Sequence, residues 1–115
     1  MRRGEIRLVD LGEPVGSEAG RQRPAVLVSN DGANATAARL GRGVVTVVPI
    51  TSNLRQVLRF QTELPAASTG LGRDSKAQAE QVRSIDAGRV GRPIGHVPPG
   101  LMVEVEAALR LHLAL

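Results

Sequence analysis

The chain has 115 residues, 42% of them hydrophobic, with a single aromatic side chain, Phe60, and no cysteine. That length limits it to one domain, residues 1–115, with an aliphatic core, and the lack of cysteine excludes disulfide frameworks, thiolate nucleophiles and cysteine-ligated zinc. A net charge of +4 admits a polyanionic partner, while the missing rings argue against a reader that stacks successive bases on aromatic platforms. Of the 15 basic residues only Lys76 is not arginine. Codon usage in a GC-rich genome and guanidinium recognition of phosphate fit that bias equally well.

In chain order, MRRGEIRLVDLG alternates charge with apolar residues. It lacks the unbroken hydrophobic stretch of a signal peptide or membrane span, so a soluble, cytoplasmic protein is expected. Residues 5–11 predict a first strand, with Ile6 and Leu8 on one face and Arg7 and Val9 on the other, stopped by Gly12 and Pro14. EPVGSEAGRQR has no apolar stripe and reads as a long loop of the kind that often carries function. AVLVSN and VVTVVPIT, residues 44–51, predict buried strands, and DGANATAARLGRG between them reads as a loop, although a short helical turn fits as well.

RFQTELP, residues 59–65, has the period of a half-exposed strand and leads into the turn-rich ASTGLGRD. SKAQAEQVRSID is ambiguous: its composition favours helix, while Ser75, Ala77, Ala79 and Gln81 could line one face of a strand. RPIGHV predicts a short edge strand. After Pro98, Pro99 and Gly100, the recurrence of Leu101, Val105, Ala108, Leu109 and His112 predicts a C-terminal amphipathic helix, too short and too charged to span a membrane. Several short strands with one terminal helix and no βαβ alternation point to a mainly β chain folded as a small barrel.

The sequence carries no metal-ligand constellation. Its two histidines, His96 and His112, share no helix, and no carboxylate run has calcium-loop spacing, so no metal or other cofactor is expected. The phosphate-binding glycine loops and the GxSxG elbow are missing as well. What remains, in order, is GEIRLVDL, GSEAGRQRP, PITSN, RDS with EQVRSI, RPIGHV and the terminal helix. Each is weak alone, but together and in this spacing they resemble the MazF/PemK-type toxins of bacterial type II toxin-antitoxin modules, along nearly the whole chain.

The resemblance implies an SH3-like β-barrel with a C-terminal helix, strand over the ambiguous DSKAQAEQ segment, a homodimer, and inhibition by an antitoxin with an acidic tail. It implies metal-independent, sequence-specific cleavage of single-stranded RNA, typically messenger RNA, by attack of a ribose 2′-hydroxyl, leaving a 2′,3′-cyclic phosphate and a 5′-hydroxyl. Such chemistry needs a proton acceptor, a proton donor and positive charge at the phosphoryl oxygens. By resemblance the essential pair is Arg23 and Thr51. Arg23, permanently cationic, suits transition-state stabilisation first and a role as acid second; Thr51 can orient the attacking hydroxyl or hold a non-bridging oxygen.

Glu18, in the same loop as Arg23, is the nearest carboxylate in sequence for the base. Ser17, Glu18, Ser75, Glu80 and Gln81 are carried over as RNA contacts. Asn53, Arg55, Lys76 and Arg83 flank the motifs and can meet phosphates. The chain departs from the family in its first strand, where Arg7 and Leu8 follow GEI in place of the usual aromatic, so its recognition sequence is its own. Two other functions are compatible with the same barrel: a non-enzymatic toxin that poisons DNA gyrase, which needs no Arg23–Thr51 pair, and a plain RNA-binding module, disfavoured by the missing aromatic platforms.

Overall fold

A computed structural model describes all 115 residues. Seven strands, β1 (Glu5–Asp10), β2 (Gln22–Leu27), β3 (Val44–Thr51), β4 (Gln61–Leu64), β5 (Ser75–Gln78), β6 (Arg83–Asp86) and β7 (Val90–His96), form one antiparallel sheet in the order β4-β5-β3-β2-β1-β7. Strand β6 lies off that path on the same β3, which it shares with β5: Val44–Val47 pair with β6, and Ile50 and Thr51 with β5. The DSKAQAEQVRSID segment is therefore β5, a 3-10 turn at Ala79–Gln81, and β6. Its helical composition is overridden by pairing to the most apolar strand of the chain.

The expected closure into a barrel does not occur. The sheet ends at β4 and β7, and no ladder joins them. RPIGHV forms part of β7, at the sheet edge, where Pro93 is tolerated opposite Arg7 beside two register shifts.

Both faces of the bent sheet are covered. Helix α3 (Pro99–Leu113) contributes Met102 and Val105 to a core with Ile6, Val26, Val48, Ile50 and Leu64. Helix α1 (Asp31–Leu40) puts Ala37 against Val9, Ala25, Leu27, Val45 and Val47 on the other face. The runs AVL and VVTVVPI are nearly continuous in apolar residues because both faces of β2 and β3 are buried. In α3 the buried residues are Met102, Val105 and Ala108, with Leu101 and Leu109 half-buried, whereas His112 is exposed beside the Phe60 ring, 6.1 Å between centroids.

Helix α1 replaces the loop expected over residues 31–43. Its composition has no apolar stripe, so periodicity is silent there. The end signals are intact, however: Asn30 Oδ1 accepts from the Ala33 amide at 2.8 Å, and Gly41 closes the helix at φ 65°. What docks α1 is polar. Asn34, fully buried, accepts from the Ser29 hydroxyl at 2.5 Å and donates to the Ser29 carbonyl at 2.9 Å, while the same hydroxyl accepts from the Thr46 amide of β3 at 3.1 Å. Asn34→Ala strands those groups away from water and should cost about 2 kcal/mol in urea unfolding; an unchanged midpoint would show that α1 is held without this network.

The ASTGLGRD stretch is a single-turn helix, α2 (Ala66–Thr69), ended by Gly70 at φ 83°. Asp74 Oδ1 accepts from the Ala66 amide at 2.8 Å, and Leu71 inserts into the core. That turn delivers Arg73 and Ser75 to the site described next. No helix of the chain is long and apolar enough to cross a membrane.

Candidate active site

Two prolines set the site. In the β2–β3 ladder Ala25 faces Pro49, Val26 faces Val48 and Leu27 faces Val47. Pro49 and Pro24 offer no N–H, and the ladder stops at Ala25, leaving the ends of the two strands unpaired with each other. Continuing the register by two residues brings Arg23 opposite Thr51 on one face. The opening is a cleft of about 350 Å³ lined by Arg23, Thr51, Ser52, Arg73 and Ser75 among others. The essential pair inferred from the sequence therefore lies together, although the two residues are 28 positions apart in the chain.

Arg23 is half-buried, and its Nε donates to the Gly20 carbonyl at 3.2 Å, which leaves both terminal nitrogens without an internal partner. The chain's two ion pairs are Arg3–Glu106 and Arg7–Glu5, so no carboxylate neutralises Arg23. Thr51 is held on one side by its pairing with Lys76 on β5. Its Oγ1 accepts from the Asn53 amide at 3.2 Å, and its own proton remains available to donate. No carboxylate, imidazole or aromatic ring lines the cleft. What it offers is fixed positive charge and hydroxyl donors, a set suited to a phosphate diester.

Of the remaining sequence-derived residues only Ser75 lines this cleft, and several of the others have structural duties. Ser75 is 5% exposed and donates to the Arg73 carbonyl at 2.9 Å, so it locks the turn. Lys76 is 7% exposed, and its ammonium donates to the Gln56 carbonyl; in place of an outer phosphate contact it is a buried tie to the loop after β3. With Asn53 and Arg55, both exposed, it borders a groove of about 520 Å³. Asn53 Oδ1 accepts from the Arg55 amide at 3.1 Å.

Glu18 is not brought to the cleft. It lines a separate groove of about 400 Å³ with Glu80, Gln81 and Arg83, and its Oε1 accepts from the Val15 amide at 2.8 Å. Glu80 Oε2 accepts from Gln61 Nε2 at 2.7 Å, while its buried Oε1 has no partner. Arg83 donates to the Leu11 carbonyl at 3.3 Å. Gln81 clamps the β1–β2 loop from both ends of its amide, donating to the Ser17 carbonyl at 2.9 Å and accepting from the Ala19 amide at 3.0 Å. Gln81→Leu should release that loop, speeding hydrogen exchange at the Ala19 amide by about tenfold. Unaltered exchange would mean that the loop is held by other contacts.

Arg73 was missed by the sequence reading. It stood in the quoted RDS motif, but nothing in its local sequence distinguishes it from the other arginines; only the α2 turn, fixed by long-range contacts, aims it at the Arg23 cleft.

Comparison with known proteins gives a single answer. A family model described as PemK-like, MazF-like toxin of type II toxin-antitoxin system matches residues 2–113. The chain is 61% identical over 115 residues to Endoribonuclease MazF9 of Mycobacterium tuberculosis, covering 100% of this chain and 98% of the relative. It is 34% identical over 116 residues to Endoribonuclease EndoA of Bacillus subtilis, covering 100% and 96%. Among solved structures, MazF (Form-I) from Deinococcus radiodurans superposes with a TM-score of 0.80 at 24% identity, covering 100% and 97%. An endoribonuclease in complex with its cognate antitoxin from a mycobacterial species gives 0.79 at 23%, covering 100% and 96%. At these identities the structural likeness speaks for the fold.

Proposed function

The chain belongs to the PemK-like, MazF-like family of type II toxins, and from that premise we infer that it is an endoribonuclease which cuts single-stranded RNA, messenger RNA above all, at the Arg23–Thr51 cleft. The observation that carries the reading is the convergence of Arg23 and Thr51 on one carboxylate-free cleft. The full-length 61% identity to an endoribonuclease supports it from outside the structure.

The scissile phosphate sits between the two side chains. The free Arg23 nitrogens donate to its non-bridging oxygens, where negative charge grows in the transition state. Thr51 Oγ1 receives the 2′-hydroxyl as acceptor and donates onward to water in the open cleft, which aligns the nucleophile and gives its proton an exit. The 2′-oxygen bonds to phosphorus as the bond from phosphorus to the 5′-oxygen breaks, and the 5′-oxygen takes a proton from water in the open cleft, yielding a 2′,3′-cyclic phosphate and a 5′-hydroxyl. None of these steps assigns work to a metal ion.

Glu18, Glu80 and Gln81 belong to base reading in the neighbouring groove. Carboxylate and amide oxygens there accept from base amino groups, hydrogen bonding in place of aromatic stacking. Ser17 follows the clamped loop. Asn53, Arg55 and Arg83 approach the backbone of the strand as it leaves the cleft, and Lys76 keeps that wall in place. The sheet is, on this reading, an opened SH3-like arrangement. The protein works in the cytoplasm as a homodimer restrained by a cognate antitoxin whose acidic tail answers its net positive charge.

Incubating the purified protein with a long RNA of many sequence contexts in the presence of a chelator tests the reading. Discrete cuts are expected. Intact RNA with retained cell toxicity would favour a poison of a protein target such as gyrase, and intact but tightly bound RNA a binding module.

A further inference from the structure

The Arg23 cleft holds a second guanidinium that the reaction can use. Arg73 also lines it, from the turn between α2 and β5. The backbone around Arg73 is fixed at four points: Leu71 is 7% exposed in the core, the Leu71 amide donates to Thr69 Oγ1 at 3.3 Å, Asp74 Oδ1 accepts from the Ala66 amide, and Ser75 Oγ donates to the Arg73 carbonyl. The side chain is exposed and belongs to neither ion pair of the chain. Asp74, its neighbour in sequence, turns away to cap Ala66 and borders a different groove. Two uncompensated guanidiniums facing one small cleft repel each other unless an anion lies between them, and the long free side chain on a rigid base is the one that can close on that anion.

We propose that Arg73 is a second catalytic residue, whose guanidinium binds the non-bridging oxygens of the transferred phosphate opposite Arg23. The proposal rests on the nuclease reading above. In the transfer, one bond forms from the 2′-oxygen to phosphorus and one breaks from phosphorus to the 5′-oxygen; a proton passes from the 2′-oxygen by way of Thr51 to water, and water in the cleft gives one to the 5′-oxygen. Arg73 forms no covalent bond. Its donors meet the charge that collects on the two equatorial oxygens, one fork on each side of the phosphate with Arg23.

The test compares single-turnover cleavage by the full-length wild type, Arg73→Ala, Arg73→Lys and Arg23→Ala on one RNA containing a mapped cut site. Arg73→Ala should be slower by about 100-fold at saturating RNA, with an unchanged thermal midpoint because the side chain is exposed. Arg73→Lys should recover part of the rate, and millimolar guanidinium chloride should partly rescue Arg73→Ala, a response that a merely structural arginine would not give. Arg73→Ala within about threefold of wild type, alongside an inactive Arg23→Ala, would overturn the second-cation role and leave the nuclease reading standing. A slow Arg73→Ala that neither lysine nor guanidinium rescues, with a lowered midpoint, would overturn it in favour of a structural role. A wild type that cuts nothing would remove both inferences together.

Discussion

Arg23→Ala should lower the rate of RNA cleavage at saturating substrate by about a thousandfold or more, equivalent to roughly 4 kcal/mol of lost transition-state stabilisation. The size follows from what the side chain does not do in the free protein. Only its Nε has an internal partner, the Gly20 carbonyl, and no carboxylate faces it, so its terminal donors are organised for an incoming anion. Losing the one bond to Gly20 costs folding only about 1 kcal/mol. The thermal midpoint should therefore fall by only about 4 °C while activity collapses, which separates a catalytic effect from a damaged fold. Arg23→Lys keeps the charge but not the planar fork and should recover only a fraction of the rate. Cleavage by Arg23→Ala within about tenfold of wild type would place the chemistry elsewhere.

The largest expected effect on stability lies 72 positions downstream. A Cβ placed on Gly95 would come within 1.9 Å of the Thr69 carbonyl oxygen and 3.0 Å of its carbon, both backbone atoms that no rotamer change can move. Strand β7 and the end of α2 meet backbone to backbone at this point. Gly70 lies on the same seam, at φ 83°, with the Ile94 carbonyl 3.2 Å from where its own Cβ would stand. Gly95→Ala must push β7 and α2 apart. It should cost about 3 kcal/mol or more and lower the thermal midpoint by roughly 10 °C or more. Because α2 carries the turn that supplies Leu71 and Arg73, whatever Gly95→Ala protein remains folded should also cut RNA more slowly than wild type. A midpoint within about 2 °C of wild type would show that the seam has slack.

Most strands were legible in the sequence, for identifiable reasons. VVTVVPIT is apolar on both faces because β3 is buried on both, and QTEL alternates because Thr62 and Leu64 face the core while Glu63 faces solvent. Helix α1 was not legible from periodicity, since its docking relies on Asn34 and Ala37; Asn30 and Gly41 were the signals to weigh. The open sheet could not be read from composition, because whether β4 meets β7 depends on long-range strand placement that no local pattern encodes. Arg23 and Thr51 were singled out through the QRP and PITS motifs, and the register of β2 and β3 explains why they line one cleft. The roles of Lys76, Ser75 and Gln81 were not legible. Each is a polar residue beside a motif, and only the backbone groups that fold onto it give it a supporting role.

The scarcity of aromatic rings has a sharper meaning with the fold in hand. Phe60 packs by His112 of the C-terminal helix, and no ring lines the cleft. Under the proposed nuclease function, hydrogen bonds in the groove of Glu18, Glu80 and Gln81 are expected to supply specificity and guanidinium contacts to phosphate the affinity, so binding should weaken steeply with salt.

The claim that the Arg23–Thr51 cleft directs a ribose 2′-oxygen onto the adjacent phosphorus is tested most directly by one substitution in the RNA. In an oligonucleotide carrying a mapped cut site, the nucleotide 5′ to the scissile phosphate is replaced by its 2′-deoxy counterpart, and cleavage is followed in chelator. The all-ribose strand should be cut to give a 5′-hydroxyl end, and the single deoxy substitution should abolish cutting at that phosphate. Continued cleavage at the deoxy position, or a 5′-phosphate on the product, would contradict it.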